Sequence, residues 1–86
     1  MATLRKQFGF RLREIRAQRG MTQERFAEAL SISVDFLSLM ERGISAPSFE
    51  TLETIAKRLR MPVADLFIFS VEPPRRSASI ARPSER

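Results

Sequence analysis

The chain has 86 residues, of which 43% are hydrophobic and 29% charged, a balance typical of one small folded domain. It contains no cysteine and no histidine, which excludes disulfides, thiol nucleophiles, the usual general base and the commonest metal ligands. No apolar run is long enough to cross a membrane and no secretory signal segment is recognisable, so we expect a cytoplasmic protein without a membrane partner. The formal net charge of +5 favours a polyanionic partner, most often nucleic acid.

Five short helices are predicted in chain order, from hydrophobic spacing and from residues that typically begin or end a helix. The first helix has one apolar face, formed by Leu4, Phe8, Leu12 and Ile15. Gly20 should end this helix, because glycine readily takes positive φ. The expected N-caps of the second, third and fourth helices are Thr22, Ser33 and Ser48. A fourth helix from Phe49 to about Arg60 and a short fifth helix starting at Pro62 complete an all-α architecture.

The first helix is also strongly basic. Its only anion within residues 4–19 is Glu14, and its six cations are Arg5, Lys6, Arg11, Arg13, Arg16 and Arg19. This pattern is consistent either with a surface for nucleic acid or with a solvated charged face.

The second and third helices carry the functional argument. They are predicted over 23–30 and 34–42, so only three residues separate them. A helix-turn-helix needs a small residue where the helices cross, a tight turn, and an aliphatic residue that locks the second helix onto the first. Ala27, Ser31 and Leu37 match these three roles. Such a unit, over 23–42, leaves the outer face of its second helix free to enter a DNA major groove.

Several motifs occur in order: Phe8-Gly9 before Arg11-Leu12-Arg13-Glu14-Ile15-Arg16, then Gly20-Met21-Thr22-Gln23-Glu24, Met40-Glu41-Arg42-Gly43, Ala46-Pro47-Ser48-Phe49-Glu50-Thr51-Leu52 and Ala64-Asp65-Leu66-Phe67. In residues and separations they resemble the Cro/C1-type (xenobiotic-response-element) family of helix-turn-helix regulators. The resemblance spans residues 8–69. It implies the five-helix, lambda repressor-like fold of phage repressors and sequence-specific binding to double-stranded DNA, usually as a dimer and with no cofactor. Residues 70–86 are expected to form a flexible basic tail.

The resemblance also assigns DNA contacts. Gln23 would face a backbone phosphate from the start of the second helix, where free amides attract anions, and Arg42 would contact the backbone. The caps Thr22 and Ser33 would add phosphate contacts. The outward positions that would read bases or the adjacent backbone are Val34, Asp35, Phe36, Ser38 and Leu39. Val34 and Leu39 are apolar where family members are often polar, so we expect few direct hydrogen bonds to bases and a larger contribution from DNA shape.

Two further groups have structural roles. Arg16 and Glu41 match a salt bridge between the first and third helices of family members, which we expect to set geometry more than to add net stability. An apolar cluster exceeds what one small core needs and predicts a homodimer interface: Leu66, Phe67, Ile68, Phe69 and Val71. Alternatively, this segment folds back over the domain's own core. Residues 68–71 could continue as helix or pair as a strand across a dimer.

The predicted function is a bacterial or phage transcriptional regulator, bound to the nucleoid as a homodimer on a pseudo-palindromic operator. Restriction-modification controller proteins and phage-type repressors have this form. Two alternatives stay open: an antitoxin that binds DNA and also a toxin protein, through the tail from Glu72, and a protein-interaction module that docks through the third helix. No catalytic residue and no metal site is predicted, since no catalytic constellation can be assembled from these residue types.

Overall fold

Four α-helices and one 3-10 helix follow one another in residues 3–69, the part of the chain that the computed structural model describes. Their bounds are α1 Leu4–Gln18, α2 Gln23–Leu30, α3 Val34–Glu41, α4 Phe49–Leu59 and the 3-10 helix Val63–Phe67. These residues contain no strand, so the all-α prediction is confirmed, although the fifth element is a 3-10 helix and not an α-helix. The predicted tail 70–86, with the proposed interface residue Val71 and the segment assigned to a protein partner, lies outside the described residues.

The N-terminal caps follow the local sequence signals. The hydroxyl oxygens of Thr22, Ser33 and Ser48 each accept a hydrogen bond from the backbone N–H three residues later, at 3.0–3.1 Å. Thr3 caps α1 in the same way at 3.2 Å, a role that we had not predicted. Gly20 follows α1 with a φ of 65°, as expected for a glycine just beyond a helix end.

Two helices end at a residue that is not glycine but has a left-handed backbone conformation. Ser31 ends α2 with a φ of 65°, and Arg60 ends α4 with a φ of 59°. For a residue other than glycine, positive φ costs about 1 kcal/mol relative to glycine. Arg60 had been predicted as the last residue of the fourth helix, and nothing in its side chain indicates this backbone conformation.

The core lies between the inward faces of all five elements. It consists of Phe8, Leu12, Ile15, Phe26, Ala27, Leu30, Leu37, Met40, Leu52, Ile55, Ala56, Leu59 and Leu66. Leu4 was predicted on the same face of α1 but is 60% exposed. It lies in the first turn, where it lines an open groove and does not enter the core.

Helices α1 and α3 approach each other closely at Gly9. A Cβ built on Gly9 would collide with the backbone carbonyl oxygen of Met40 and lie 2.8 Å from that of Glu41. Only glycine fits this crossing without moving one helix, because neither neighbour is a side chain that could rotate away.

Most of the basic residues of α1 join elements of the fold. Arg5, Arg11 and Arg19 each donate to a backbone carbonyl oxygen of a later segment, at 2.9–3.1 Å. Arg16 pairs with Glu41 on α3. These four residues therefore contribute to the tertiary structure; the pair of Arg16 with Glu41 was predicted, whereas the bonds of Arg5, Arg11 and Arg19 were not.

The predicted dimer cluster is largely part of the monomer's own core. Leu66 has no exposed surface, because the 3-10 helix packs it against α1 and α4, so its assignment to an interface is wrong. Phe67 packs between the rings of Phe8 and Phe69, with centroids 5.4 and 6.1 Å away. Ile68 alone among the cluster's described residues exposes most of its surface, 58%, and its extended backbone ends the helical run.

Candidate nucleic-acid interface

The turn between α2 and α3 fixes the orientation of α3 relative to α2. Ala27 and Leu37 are both buried, as their predicted roles in a helix-turn-helix require. At the turn, the backbone N–H of Ser31 donates to the carbonyl of Glu28 at 3.1 Å, and that of Ile32 to the carbonyl of Ala27 at 3.0 Å. These bonds close the C-terminus of α2 and restrict the direction in which α3 begins.

The residues predicted on the outward face of α3 differ in how much surface they expose. Val34 is 37% exposed, and Asp35 beside it is also exposed. Ser38 and Leu39, one turn further along, are partly buried. Phe36 was predicted to read bases, but it packs against the core and leaves only a minor part of its side chain accessible.

The four residues assigned to phosphate contacts lie at helix ends. Thr22 and Ser33 use their hydroxyl oxygens as acceptors for their own helices, which leaves the hydroxyl proton as a donor. Arg42 is exposed and caps α3, one residue beyond its last helical residue, whereas the sequence had placed it inside the helix. Gln23 begins α2, and its Nε2 donates to Glu41 Oε1 at 2.9 Å, a partner that the sequence did not indicate.

The bond from Gln23 belongs to a small polar network centred on Glu41, whose side chain is only 2% exposed. Arg16 donates to both carboxylate oxygens, from Nε to Oε2 at 2.8 Å and from Nη2 to Oε1 at 3.0 Å. Its Nη1 donates to the carbonyl of Met21 at 3.2 Å. The hydrogen bonds with Glu41 raise the pKa of Arg16, so the guanidinium stays charged throughout the physiological range and compensates the buried carboxylate.

Other kinds of site find little support in the described residues. Between residues 3 and 69 there is no group of three or more acidic, histidine or cysteine side chains that could hold a metal ion. In the same part of the chain, no helix has the length and apolar character needed to span a membrane.

Comparison with known proteins agrees with this geometry. A family model described as helix-turn-helix (HTH_3) matches residues 12–66, more than half of the chain. The chain therefore belongs to this family, the Cro/C1-type helix-turn-helix proteins, and carries the DNA-binding domain of a family of transcriptional regulators.

Three similar proteins illustrate the range of the family. The HTH-type transcriptional regulator DdrOP3 of Deinococcus deserti is 46% identical over 56 residues, which are 65% of this chain but only 43% of that protein. The crystal structure of the clp gene regulator ClgR from Corynebacterium glutamicum has a TM-score of 0.70 and 38% identity, covering 79% of this chain and 88% of that one. The restriction-modification controller protein C.AhdI from Aeromonas hydrophila has a TM-score of 0.68 and 30% identity, with coverage of 73% and 91%.

Proposed function

We propose that the protein is a sequence-specific transcriptional regulator that places α3 in the major groove of a pseudo-palindromic operator. The observation that carries this proposal is the presentation of α3. A closed turn holds the helix so that Val34 and Asp35 on its outer face are exposed and Ser38 and Leu39 are partly exposed. The net charge of +5 supports attraction to DNA.

The composition of this face indicates how sequence would be read. Val34 and Leu39 would contact thymine methyl groups, and Asp35 would accept a hydrogen bond from a cytosine amino group. Arg42 would contact a phosphate next to the bases that α3 reads. With so few hydrogen-bonding side chains, sequence-dependent DNA shape would supply much of the discrimination.

The test is selection of bound sequences from random duplex DNA by the wild-type protein and three variants. Leu39→Ala should relax the selected motif, whereas Arg42→Ala should weaken binding to all sequences and lower the salt slope by about 0.9. Lys57→Ala removes the same charge from an exposed position in the last turn of α4 and should change neither. Failure to enrich any motif at low salt would contradict sequence-specific binding and would favour a protein-docking role for α3.

We further propose that the regulator acts as a homodimer, through an apolar groove that shares only Phe67 with the cluster predicted from the sequence. An apolar groove of about 450 Å³ opens between the N-termini of α1 and α4. Its lining includes Leu4, Phe8, Leu52 and Phe67. Phe49 at its edge is 81% exposed, the largest exposed fraction among the large hydrophobic residues of the described chain.

A second copy of this chain is the partner that the groove fits. A two-fold interface buries the same patch on both copies, so the patch has to be complementary to itself. Here a protruding aromatic ring, Phe49, stands beside an apolar groove that can receive a ring. Both signs of charge are also present on this face, since Arg5 lines the groove and Glu53 lies one turn after Phe49. Two such copies would place DNA half-sites about 10 base pairs apart, or a multiple of that.

The oligomeric state of the DNA-free protein tests this surface. Phe49→Glu should convert a dimer into a monomer in sedimentation analysis, because a carboxylate cannot enter an apolar groove without a large desolvation cost. Phe10→Glu is the matched control, since Phe10 is 55% exposed on α1 and does not line the groove. A Phe49→Glu protein that remains as dimeric as the wild type would exclude the groove, and a monomeric wild type would exclude the dimer.

A further inference from the structure

Glu41, the last residue of α3, is connected to the beginning of α2 in two ways, one direct and one through Arg16. One connection is direct, from Gln23 Nε2 to Glu41 Oε1 at 2.9 Å. The other passes through Arg16, which holds both oxygens of Glu41 and donates from Nη1 to the carbonyl of Met21, the residue before the cap of α2. These two connections fix the start of α2, which would face a phosphate, relative to α3, which would read bases.

The direct bond restricts the rotation of the half-buried side chain of Gln23. A carboxamide nitrogen has two N–H donors, so one bond to Glu41 leaves a second N–H of Gln23 for another acceptor. A bond to a carboxylate is stronger than one between neutral groups, and a side chain already held in its bound orientation loses less rotamer freedom on binding. Because Arg16 compensates the charge of Glu41, this arrangement adds no net negative charge near a DNA phosphate.

We infer that Glu41 is a positioning residue for DNA backbone binding. It holds the Gln23 carboxamide in the orientation in which the second N–H meets a phosphate, at a fixed distance from the outer face of α3. This inference rests on the DNA-binding function proposed above and adds to it a buried residue that does not itself touch DNA.

A double-mutant cycle measures this coupling. Gln23→Ala is introduced into the wild type and into an Arg16→Met/Glu41→Leu background, which removes both charges and avoids leaving one buried alone. The probe is a mixed-sequence duplex of about 20 base pairs. In the wild type, Gln23→Ala should weaken binding about tenfold, the value of one hydrogen bond to a charged group. In the Arg16→Met/Glu41→Leu background, where nothing holds Gln23, the Gln23→Ala substitution should weaken binding by less than about twofold.

The salt dependence separates this effect from a general loss of affinity. Gln23 is neutral and the Arg16–Glu41 pair has no net charge, so the slope of log K against log salt should stay the same in all four proteins. An equal loss from Gln23→Ala in both backgrounds would overturn the inference, because Glu41 would then act only through folding. If the wild type does not bind the duplex at all, the DNA-binding proposal itself is wrong.

A second measurement needs neither DNA nor a folded double variant. The side-chain amide of Gln23 should show much slower and more restricted motion in 15N relaxation than those of Gln7 and Gln18, which are exposed on α1. These three are the only glutamines of the chain, so the comparison is internal to one sample. If the amide of Gln23 moves as freely as the other two, Glu41 does not position it.

Discussion

Replacing Gly9 with alanine tests how closely α1 and α3 approach each other. The new methyl carbon would collide with the carbonyl oxygen of Met40 and lie 2.8 Å from that of Glu41, whereas ordinary contacts begin at 3.4 Å. The contact with Glu41 alone requires the helices to separate by about 0.6 Å, the difference between these two distances, and the closer contact with Met40 requires more. Glu41 also accepts hydrogen bonds from Arg16 and Gln23. Moving the helices apart would therefore lengthen the bonds of this polar network as well.

The expected loss of stability is the difference between two opposing effects. Overpacking a tight contact costs about 3 kcal/mol when the obstructing atoms belong to the backbone. Alanine recovers about 1 kcal/mol, because it favours a helix interior more than glycine does. The free energy of unfolding should thus fall by about 2 kcal/mol, which lowers the Tm of a domain of this size by about 10 °C.

Thermal and urea denaturation followed by circular dichroism provide the assay. Gln7→Ala is the control, since Gln7 is exposed two residues earlier on the same helix and its replacement should change stability by less than about 0.5 kcal/mol. If Gly9→Ala is as stable as the wild type, or about 1 kcal/mol more stable as helix propensity alone predicts, the close approach of the two helices is refuted.

Three further predictions test individual features of the fold. Glu41→Ala should cost about 3 kcal/mol in urea denaturation by leaving Arg16 without its partner, and Arg16→Met/Glu41→Leu should restore most of it; equal losses would mean that the pair matters only through packing. Arg60→Gly should raise Tm by about 5 °C because it relieves a φ of 59°, and an unchanged Tm would show that this conformation costs nothing. Ser33→Ala should cost about 1 kcal/mol and speed hydrogen exchange at the start of α3, whereas unchanged exchange would show that the Ser33 cap is dispensable.

The boundaries of the helices could be predicted because their signals are local. Thr22, Ser33 and Ser48 cap helices through bonds to residues three positions away, and the spacing of apolar residues marks the buried face of each helix. The bounds predicted for α2 agree with those observed, and those of α3 and α4 differ by one residue at the C-terminus. Local signals failed at Arg60, whose left-handed conformation ends α4 three residues before the 3-10 helix begins.

The candidate site was predictable only in part, for the same reason. A resemblance to known regulators predicted that Arg16 pairs with Glu41, which the structure shows, and that α3 enters DNA, which stays a prediction. It did not reveal the bond from Gln23 to Glu41, since these residues lie 18 positions apart and no periodic pattern connects them. The partial burial of Phe36 was missed as well, because it depends on how the third helix is rotated against the core.

Burial at the C-terminal end of the domain most clearly separates what local sequence signals predict from what contacts between distant residues decide. Leu66, Phe67 and Ile68 are all large and apolar, and composition alone makes each of them equally suited to a core or to an interface. Packing of the 3-10 helix against α1 and α4 encloses Leu66 completely and exposes 58% of Ile68. Sequence patterns therefore determine which residues form helices and which faces are apolar, whereas the contacts between distant helices determine which apolar side chains remain for a partner, because solvent is excluded only once the elements have packed.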